Sequence, residues 1–387
     1  MKKLIVLPSD PIEAYLEVGS TYDHLEDYYN PGGYFDEVYS LTIWGKKDEY
    51  KRGKMTYIKC TAKEMHKKVL EIKPNVIRAY GGYISSDLAQ VAKEEGIPII
   101  VSVHDTNPDL IHDSLKYADY IVCMAEAVKK AVLNKISFDE KKMWIMPNRI
   151  DEKIMQKTCN EEISAELNQR FPGKKHILHV GRKAEQKNLD TVIKALKYLD
   201  EDTVAIFVGR GDTSPYEKLA NETGVLDRCF FVKSVINDEL PYWYSWCDCF
   251  CTPSRWEGFG IVFIEAAACE APIVTSNIGP MNEYLTDGQD AVLVDDYENP
   301  QEIARAIKKV LTGGQDIDRM CKEARNVGLN FAKNKVDEQE ISIYEDVMSR
   351  PVSSPKAPWI KRKKWERKYD HKDKYKKALK WIKNRRR

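Results

Sequence analysis

The sequence predicts an α/β protein made of two doubly wound parallel-sheet domains, and three observations carry that expectation. Short apolar runs followed by segments of helical period recur through both halves, the pattern of strands joined by crossover helices. The chain has 387 residues, more than one hydrophobic core usually serves. Between the halves, the polar stretch 151–174 contains the breaker Phe171-Pro172-Gly173.

In chain order, the first half offers strands at residues 4–7, 37–41, 76–79, 97–103, 120–124 and 143–146. The run 97–103 is apolar except for Ser102, as a strand covered on both faces should be. The second half offers strands at 176–180, 203–208, 229–232, 249–252, 272–275 and 291–294. After the first of these, Leu189, Val192, Ile193, Leu196 and Leu199 keep a helical spacing, with Asn188 as the expected N-cap. Asn299-Pro300 opens a further helix with Ile303, Ile307, Val310 and Leu311 as its buried stripe. A helix at 337–348 is expected to end the second domain, because Arg350-Pro351 stops it. The expected division is a first domain at 1–155, a linker at 156–174, a second domain at 175–350 and a tail at 351–387. No repeat of solenoid length appears.

A hydrophobic content of 43% supports globular folding, but the charge is unevenly spread. Residues 356–387 hold sixteen Lys or Arg against Glu366, Asp370 and Asp373, a net of +13 that leaves about −12 on the rest. The first residues, Met1 to Pro8, carry an apolar run too short for a signal peptide, and nothing approaches a membrane span, so a cytoplasmic protein is expected. Nine cysteines point to reduced thiols rather than a disulfide framework. Cys247, Cys249 and Cys251 alternate along one face. A metal site and a buried strand with Cys as a small apolar residue both fit, and the buried strand is the favoured reading.

The segment Glu257-Gly258-Phe259-Gly260-Ile261-Val262-Phe263-Ile264-Glu265 is the most informative in the chain. Its two glycines oppose one continuous helix, so a loop must turn into a helix there. Unpaired backbone N–H groups then lie near Phe259 to Ile261 and make an anion site, with Glu257 on the loop and Glu265 about a turn inside the helix. Carboxylates would repel a phosphate; they suit the hydroxyls of a ligand that also carries phosphate, such as a nucleotide sugar. Earlier, Gly181-Arg182-Lys183-Ala184-Glu185-Gln186-Lys187-Asn188 follows a buried strand and precedes a helix, where ligands bind in open α/β sheets. Arg182 and Lys187 there would reach a diphosphate and stabilise the charge that grows on a leaving phosphate. A glycosidase would also use two carboxylates, but that explains neither the helix start nor the basic pair. Val208-Gly209-Arg210-Gly211-Asp212 lacks the third glycine of a dinucleotide fingerprint and reads as a turn. Asp295-Asp296 suggests an acidic metal pair, yet the Arg/Lys clamp already supplies that charge, so neither a metal nor another cofactor is expected.

Gly181-Arg182 with Lys187-Asn188, then Pro253 to Gly260 and Glu265-Ala266, resembles the signature of family-4 retaining glycosyltransferases, the group 1 glycosyl transferases of the GT-B fold. Pro147-Asn148-Arg149-Ile150-Asp151 is similar to the family's Pro-Asn-Gly-Val-Asp element, with Arg149 in place of Gly. Gly279-Pro280-Met281-Asn282-Glu283 is similar to its Gly-Gly-x-x-Glu element, with Pro280 in place of the second Gly. The resemblance runs from residue 1 to about 350 and is most specific in the second domain. It implies two Rossmann-like domains facing a cleft, the first on the acceptor side and the second binding the nucleotide sugar. It also implies that Glu265 reads the ribose hydroxyls, Glu257 the hydroxyls of the transferred sugar, and Arg182 and Lys187 the diphosphate. Gly258, Phe259, Gly260 and Ile261 form the loop and helix start around them, with the amides of Phe259 and Gly260 on sugar and phosphate. His104, after the buried run 97–103, matches the histidine that contacts the donor sugar and supports catalysis. Gly19 and Gly32-Gly33 are both candidates for the first-domain glycine that approaches the diphosphate.

The implied activity is transfer of a hexose-type sugar from a UDP or GDP donor to a hydroxyl acceptor on a glycan or lipid, with retention, in envelope or polysaccharide assembly. A sugar-nucleotide epimerase and a non-catalytic nucleotide-sugar-binding scaffold are the alternatives. In the tail, Trp359, Trp365, Tyr369, Tyr375 and Trp381 are interleaved with basic residues, and from Lys374 onward an amphipathic helix is expected. Association with an anionic membrane surface is the preferred role, which would make the protein peripheral on the inner face. Packing on the acidic body is a second reading, and nucleic acid is not expected as a partner.

Overall fold

The computed structural model describes the chain apart from Val18 and residues 45–48, 353–355 and 371–387, and it divides into two units. The first holds Met1–Pro147 and the described residues from Asn334 onward; the second holds Asn148–Lys333.

The sheet of the first unit contains β1 (Lys3–Leu7), β2 (Glu37–Thr42), β3 (Glu49–Arg52), β4 (Met55–Lys59), β5 (Val76–Tyr80), β6 (Ile99–Val103), β7 (Tyr120–Cys123) and β8 (Met143–Ile145). Their order is β3-β4-β2-β1-β5-β6-β7-β8. Pairing is parallel except for the antiparallel edge pair β3/β4. The apolar-run criterion misses this edge because β3 reads Glu-Tyr-Lys-Arg, a charged strand of the kind that blunts a sheet edge. The sheet's fully buried central strands β5 and β6 were legible as mainly apolar runs, interrupted by Arg78 and Ser102.

Two boundaries differ from expectation. The helix expected at 337–348 is Lys333–Ser349, and it belongs to the first unit rather than ending the second. Its buried stripe includes Glu340, Ile343, Tyr344 and Val347; Tyr344 meets Phe35 edge to face at 4.9 Å, and Glu340 lies 3.6 Å from the buried Arg78 guanidinium. Periodicity reveals a buried face but not its partner. The expected linker 156–174 instead forms helix Glu161–Arg170, capped by the Asn160 side chain. Phe171 then packs against Phe230 and Trp243 inside the second unit.

The first part of the tail is also a packed element. Helix Trp359–Asp370 lies against helices Ala62–Ile72 and Ile84–Ala92, and its Trp365 and Tyr369 join the first unit's core. Tyr369 Oη donates to the buried Asp87 carboxylate at 2.6 Å, Lys368 Nζ approaches the same oxygen at 3.1 Å, and Lys361 pairs with Asp113 at 2.6 Å. The intramolecular reading therefore holds for this stretch, and two of the aromatic residues assigned to a membrane are buried in protein. The amphipathic segment from Lys374 lies outside the described residues. Among the described residues no helix is long and apolar enough to cross a membrane.

The second unit's sheet contains β9 (Lys175–Val180), β10 (Thr203–Val208), β11 (Cys229–Val232), β12 (Cys249–Thr252), β13 (Ile273–Ser276) and β14 (Val292–Val294). All pairs are parallel, in the order β11-β10-β9-β12-β13-β14. Cys249 and Cys251 sit in the hydrophobic core beneath β12, and Cys247 is buried just before it. Burial pushes all three thiols up, so they stay protonated and act as small apolar side chains. Among the described residues no group of His, Cys, Asp or Glu is arranged to hold a metal ion.

Candidate active site

Strand order in the second sheet reverses between β9 and β12, and both loops singled out in the sequence leave the carboxyl ends of those two neighbours. That crevice is where open α/β sheets bind ligands. The loop 181–188 follows β9 and the loop 253–260 follows β12.

The two loops are laced together. Asn188 occupies the expected N-cap position, but in a left-handed conformation, φ 53°, and without a side-chain capping bond. Its Nδ2 donates instead to Pro253 O and Tyr297 O, both at 3.0 Å. Arg255 N donates to Gln186 O at 2.8 Å, and the Arg255 guanidinium binds Glu185 O, Asp190 and Glu298. Gln186 Nε2 donates to Trp256 O at 2.9 Å. These contacts fix the basic loop against the acidic one before any ligand arrives.

Lys187 and Glu257 meet at the centre. Lys187 Nζ lies 2.5 Å from Glu257 Oε1, with the side chains only 10% and 7% exposed. Ser254 Oγ donates to the same oxygen at 2.7 Å, and Gln186 Nε2 approaches Oε2 at 3.3 Å. A buried carboxylate needs such compensation. The sequence assigned Lys187 to phosphate and Glu257 to sugar separately; the structure brings them into one ion pair. Ser254 and Gln186 were not assigned roles, although Ser254 stands three residues before Glu257 and Gln186 one before Lys187.

Glu257 is followed by a forced turn. Gly260 precedes helix Ile261–Ala268 with φ +80°, and a Cβ there would fall 2.5 Å from the Phe263 ring. Only glycine combines that φ with that contact. Tyr284 Oη donates to Phe259 O at 2.8 Å and its ring packs on Phe259 at 5.3 Å, which holds the loop. Gly258, Phe259 and Gly260 are buried, whereas Ile261 is exposed at the helix start. The first N–H groups of this helix have no intrahelical carbonyl to meet.

Glu265 is buried on the same helix and accepts from Tyr244 Oη at 3.0 Å. Burial pushes its carboxyl up to about 7, against the opposing pull of the Tyr244 hydrogen bond and the Lys187 charge. Arg182 is exposed, with a guanidinium N–H donating to Gln186 Oε1 at 2.9 Å. His179, beneath the loop, donates from Nε2 to Lys187 O at 2.9 Å and is held neutral by burial.

His104 belongs to the first unit, directly after β6. Its Nε2 is buried with no hydrogen-bond partner among the described residues, and its ring lies 6.2 Å from that of Tyr80. Burial first, and then the nearby Arg78 charge, pull the imidazole down to about 4, so it is neutral at pH 7. Gly19, Gly32 and Gly33 all have positive φ. A Cβ on Gly32 would meet Ile341 and one on Gly33 would meet Lys54, while Gly19 faces open space.

Residues 160–327 match the family described as Glycosyl transferases group 1. Spore coat protein SA of Bacillus subtilis (strain 168) is 31% identical over 199 residues, 48% of this chain and 52% of that protein. The lipopolysaccharide core biosynthesis mannosyltransferase LpsB of Rhizobium meliloti (strain 1021) is 30% identical over 195 residues, 46% of this chain and 53% of that one. The chain thus spans about half the length of these curated relatives. The crystal structure of Anabaena Alr3699/HepE in complex with UDP-glucose superposes with a TM-score of 0.72 at 16% identity, covering 90% of this chain and 100% of that one. That likeness shows the two-domain Rossmann-like GT-B fold.

Proposed function

We propose, on the premise that residues 160–327 are a group 1 glycosyl transferase domain, that this protein moves a hexose-type sugar from a UDP or GDP donor to a hydroxyl acceptor with retention. The observation that carries the reading is the buried Lys187–Glu257 pair at the sheet's switch point, beside the Gly260 helix start and the buried Glu265. A nucleotide sugar offers partners to each: phosphate to Lys187 and Arg182, sugar hydroxyls to Glu257, ribose hydroxyls to Glu265. The ammonium and carboxylate satisfy one another. Donor binding exchanges that ion pair for two ligand contacts, so neither charge is left buried alone.

In the transfer step the bond from sugar C1 to the phosphate oxygen breaks, and its electron pair leaves with the nucleoside diphosphate. Arg182, Lys187 and the amides at the helix start stabilise the charge that develops. The acceptor oxygen bonds to C1 on the face the phosphate leaves, and its proton passes to the departing phosphate oxygen. His104, neutral at pH 7, is assigned a hydrogen bond to the reacting sugar. Charge neutralisation falls to the two basic side chains, so activity is expected to survive EDTA.

The relative named for lipopolysaccharide core synthesis and the one named as a spore coat protein support a glycan of the cell envelope as acceptor. Peripheral binding to anionic lipid belongs to this proposal as well. With Trp365 packed inward, the face available to lipid carries Trp359 and Ile360, 63% and 75% exposed, and the exposed Lys364 and Arg367. The test of the donor site is calorimetric titration with UDP and GDP. Arg182→Ala should weaken the preferred nucleotide by about tenfold to a hundredfold, the value of one charge-assisted contact; unchanged affinity would remove Arg182 from the site.

A further inference from the structure

One buried charge has no part in the transfer step. Lys183 is 2% exposed, yet it carries an amine into the interior directly after the proposed diphosphate ligand Arg182. Strands β9, β10 and β11 run parallel, with Val180, Val208 and Val232 in register at their carboxyl ends. From the loop after β9, Lys183 Nζ donates to Gly209 O and, at 2.7 Å, to Val232 O, so one side chain joins the ends of the other two strands. The backbone follows the same course: Gly181 N donates to Val208 O at 2.9 Å, and Lys183 N to Arg210 O at 2.6 Å. Gly209 permits this approach, with φ +146° and a position where a Cβ would collide with Gly181 O.

The anchored segment meets both cations assigned to the diphosphate. Arg182 stands between the anchored residues Gly181 and Lys183, and the Lys187 stem lies against Gly181, where a Cβ would come within 3.1 Å of Lys187 Cδ. Charge acts there as well. Burial first, and then the Lys187 and Lys183 charges, pull the imidazole of His179 beneath the loop down to about 4.

We propose that Lys183 is a positioning residue of the donor site: anchored on the ends of β10 and β11, it fixes the start of the diphosphate loop so that Arg182 and Lys187 meet a diphosphate without rearrangement, and it sets a positive charge beneath them. This deepens the proposed function and rests on it. A loop ordered before binding gains affinity because its ordering no longer opposes the ligand. Methionine would fill the space of this lysine but would donate to neither carbonyl and carry no charge.

Burial pulls the Lys183 amine down to about 8, so its charge is largely present at pH 7 and is lost as pH rises through that value. The neutral amine keeps two hydrogens for the two carbonyls, in bonds weakened by the loss of charge. Around it stand Arg182 and Lys187 of its own loop, His179 of β9, Arg210 and Asp212 of the turn after β10, Lys233 after β11, and Tyr216 at the cavity that Lys183 and Asp212 also line. All of these remain in Lys183→Met, so the difference between wild type and variant isolates Lys183.

The test is calorimetric titration of the 387-residue chain with UDP, GDP and inorganic pyrophosphate from about pH 7 to about pH 9.5. At pH 7 Lys183→Met should weaken pyrophosphate and the preferred nucleotide by the same factor, about tenfold. That factor should shrink to about threefold or less at the upper pH, where the wild type has lost the charge that the variant never had. Ionisation of the ligand affects both proteins alike and cancels. Unchanged affinity in the variant, a factor that does not vary with pH, or a weakened nucleotide with pyrophosphate unaffected overturns the assignment and leaves the transferase reading standing. No binding of any nucleotide by the folded wild type overturns both. Should Lys183→Met fail to fold, the wild type decides: near pH 8 the preferred nucleotide should take up a fraction of a proton on binding, read as heat that varies with the buffer's ionisation enthalpy, and binding without uptake overturns the proposal.

Discussion

Breaking the Lys187–Glu257 pair from one side should be far more damaging than removing it whole. At 2.5 Å the gross attraction is roughly 6 to 7 kcal/mol for an effective dielectric constant of about 20. Desolvating two ions offsets most of that, so the net value of the pair is small. Lys187→Met leaves the Glu257 carboxylate buried beside Ser254 and Gln186 without its ammonium, and should cost about 3–5 kcal/mol. Lys187→Met with Glu257→Leu removes both charges and should recover most of this loss, giving a coupling energy of about 2 kcal/mol or more. Denaturant unfolding measures the totals, and amide exchange in β9 and β12 reports the second unit by itself. A single substitution costing under about 0.5 kcal/mol, or a double mutant no more stable than the single, would refute the view that these charges are held buried for a ligand.

Other consequences follow from the same structure. Glu265 titrates near 7 in the folded chain, above an ordinary carboxyl, so the native state keeps a proton that the unfolded state has lost between about pH 4.5 and 7. Its ionisation therefore lowers stability as pH rises through that window, by about 3 kcal/mol in all, whereas donor affinity should rise and level off above pH 7. Glu265→Gln should flatten both profiles, which pH-dependent unfolding and nucleotide titration would show. Gly260→Ala should cost about 2 kcal/mol or more from its φ and the Phe263 contact and should weaken donor binding. Gly224→Ala, with φ +77° and open space around it, is the control that carries the backbone term alone and leaves donor binding unchanged. In the tail, Trp365→Ala should destabilise the first unit by about 3–5 kcal/mol, while Trp359→Ala should stay within about 0.5 kcal/mol and weaken sedimentation with anionic vesicles. Unfolding and vesicle binding of the two variants check this pair.

Buried parallel strands were legible because a strand covered on both faces has to be largely apolar, as β6 and β10 are apart from Ser102 and Thr203. Edge strand β3, with every residue charged except Tyr50, carried no such signal. Helix Lys333–Ser349 was legible as a helix, but its unit was not, because the stripe that packs against Phe35 is as apolar as one facing the other core would be. At the candidate site, residue types and glycine spacing singled out Arg182, Lys187, Glu257, Gly260 and Glu265, the residues of two loops that the fold sets side by side. What they hid was pairing across the sheet: the Lys187–Glu257 contact and the Arg255 brace join residues about 70 positions apart. Lys183 was hidden by its own chemistry, since a lysine on a basic loop is ordinarily solvated and this one is enclosed by two strand ends.

A switch-point site that splits a nucleotide sugar must hand the sugar to a hydroxyl. The most direct measurement is ¹H NMR of the 387-residue chain with UDP- and GDP-hexoses and envelope glycan acceptors, following the anomeric proton and the nucleotide together. Acceptor-dependent release of nucleoside diphosphate, a product with the donor's anomeric configuration, and loss of turnover in Glu257→Ala are expected. Donor turnover that is unaltered in Glu257→Ala, or conversion of the nucleotide sugar without acceptor into its epimer, would contradict this expectation.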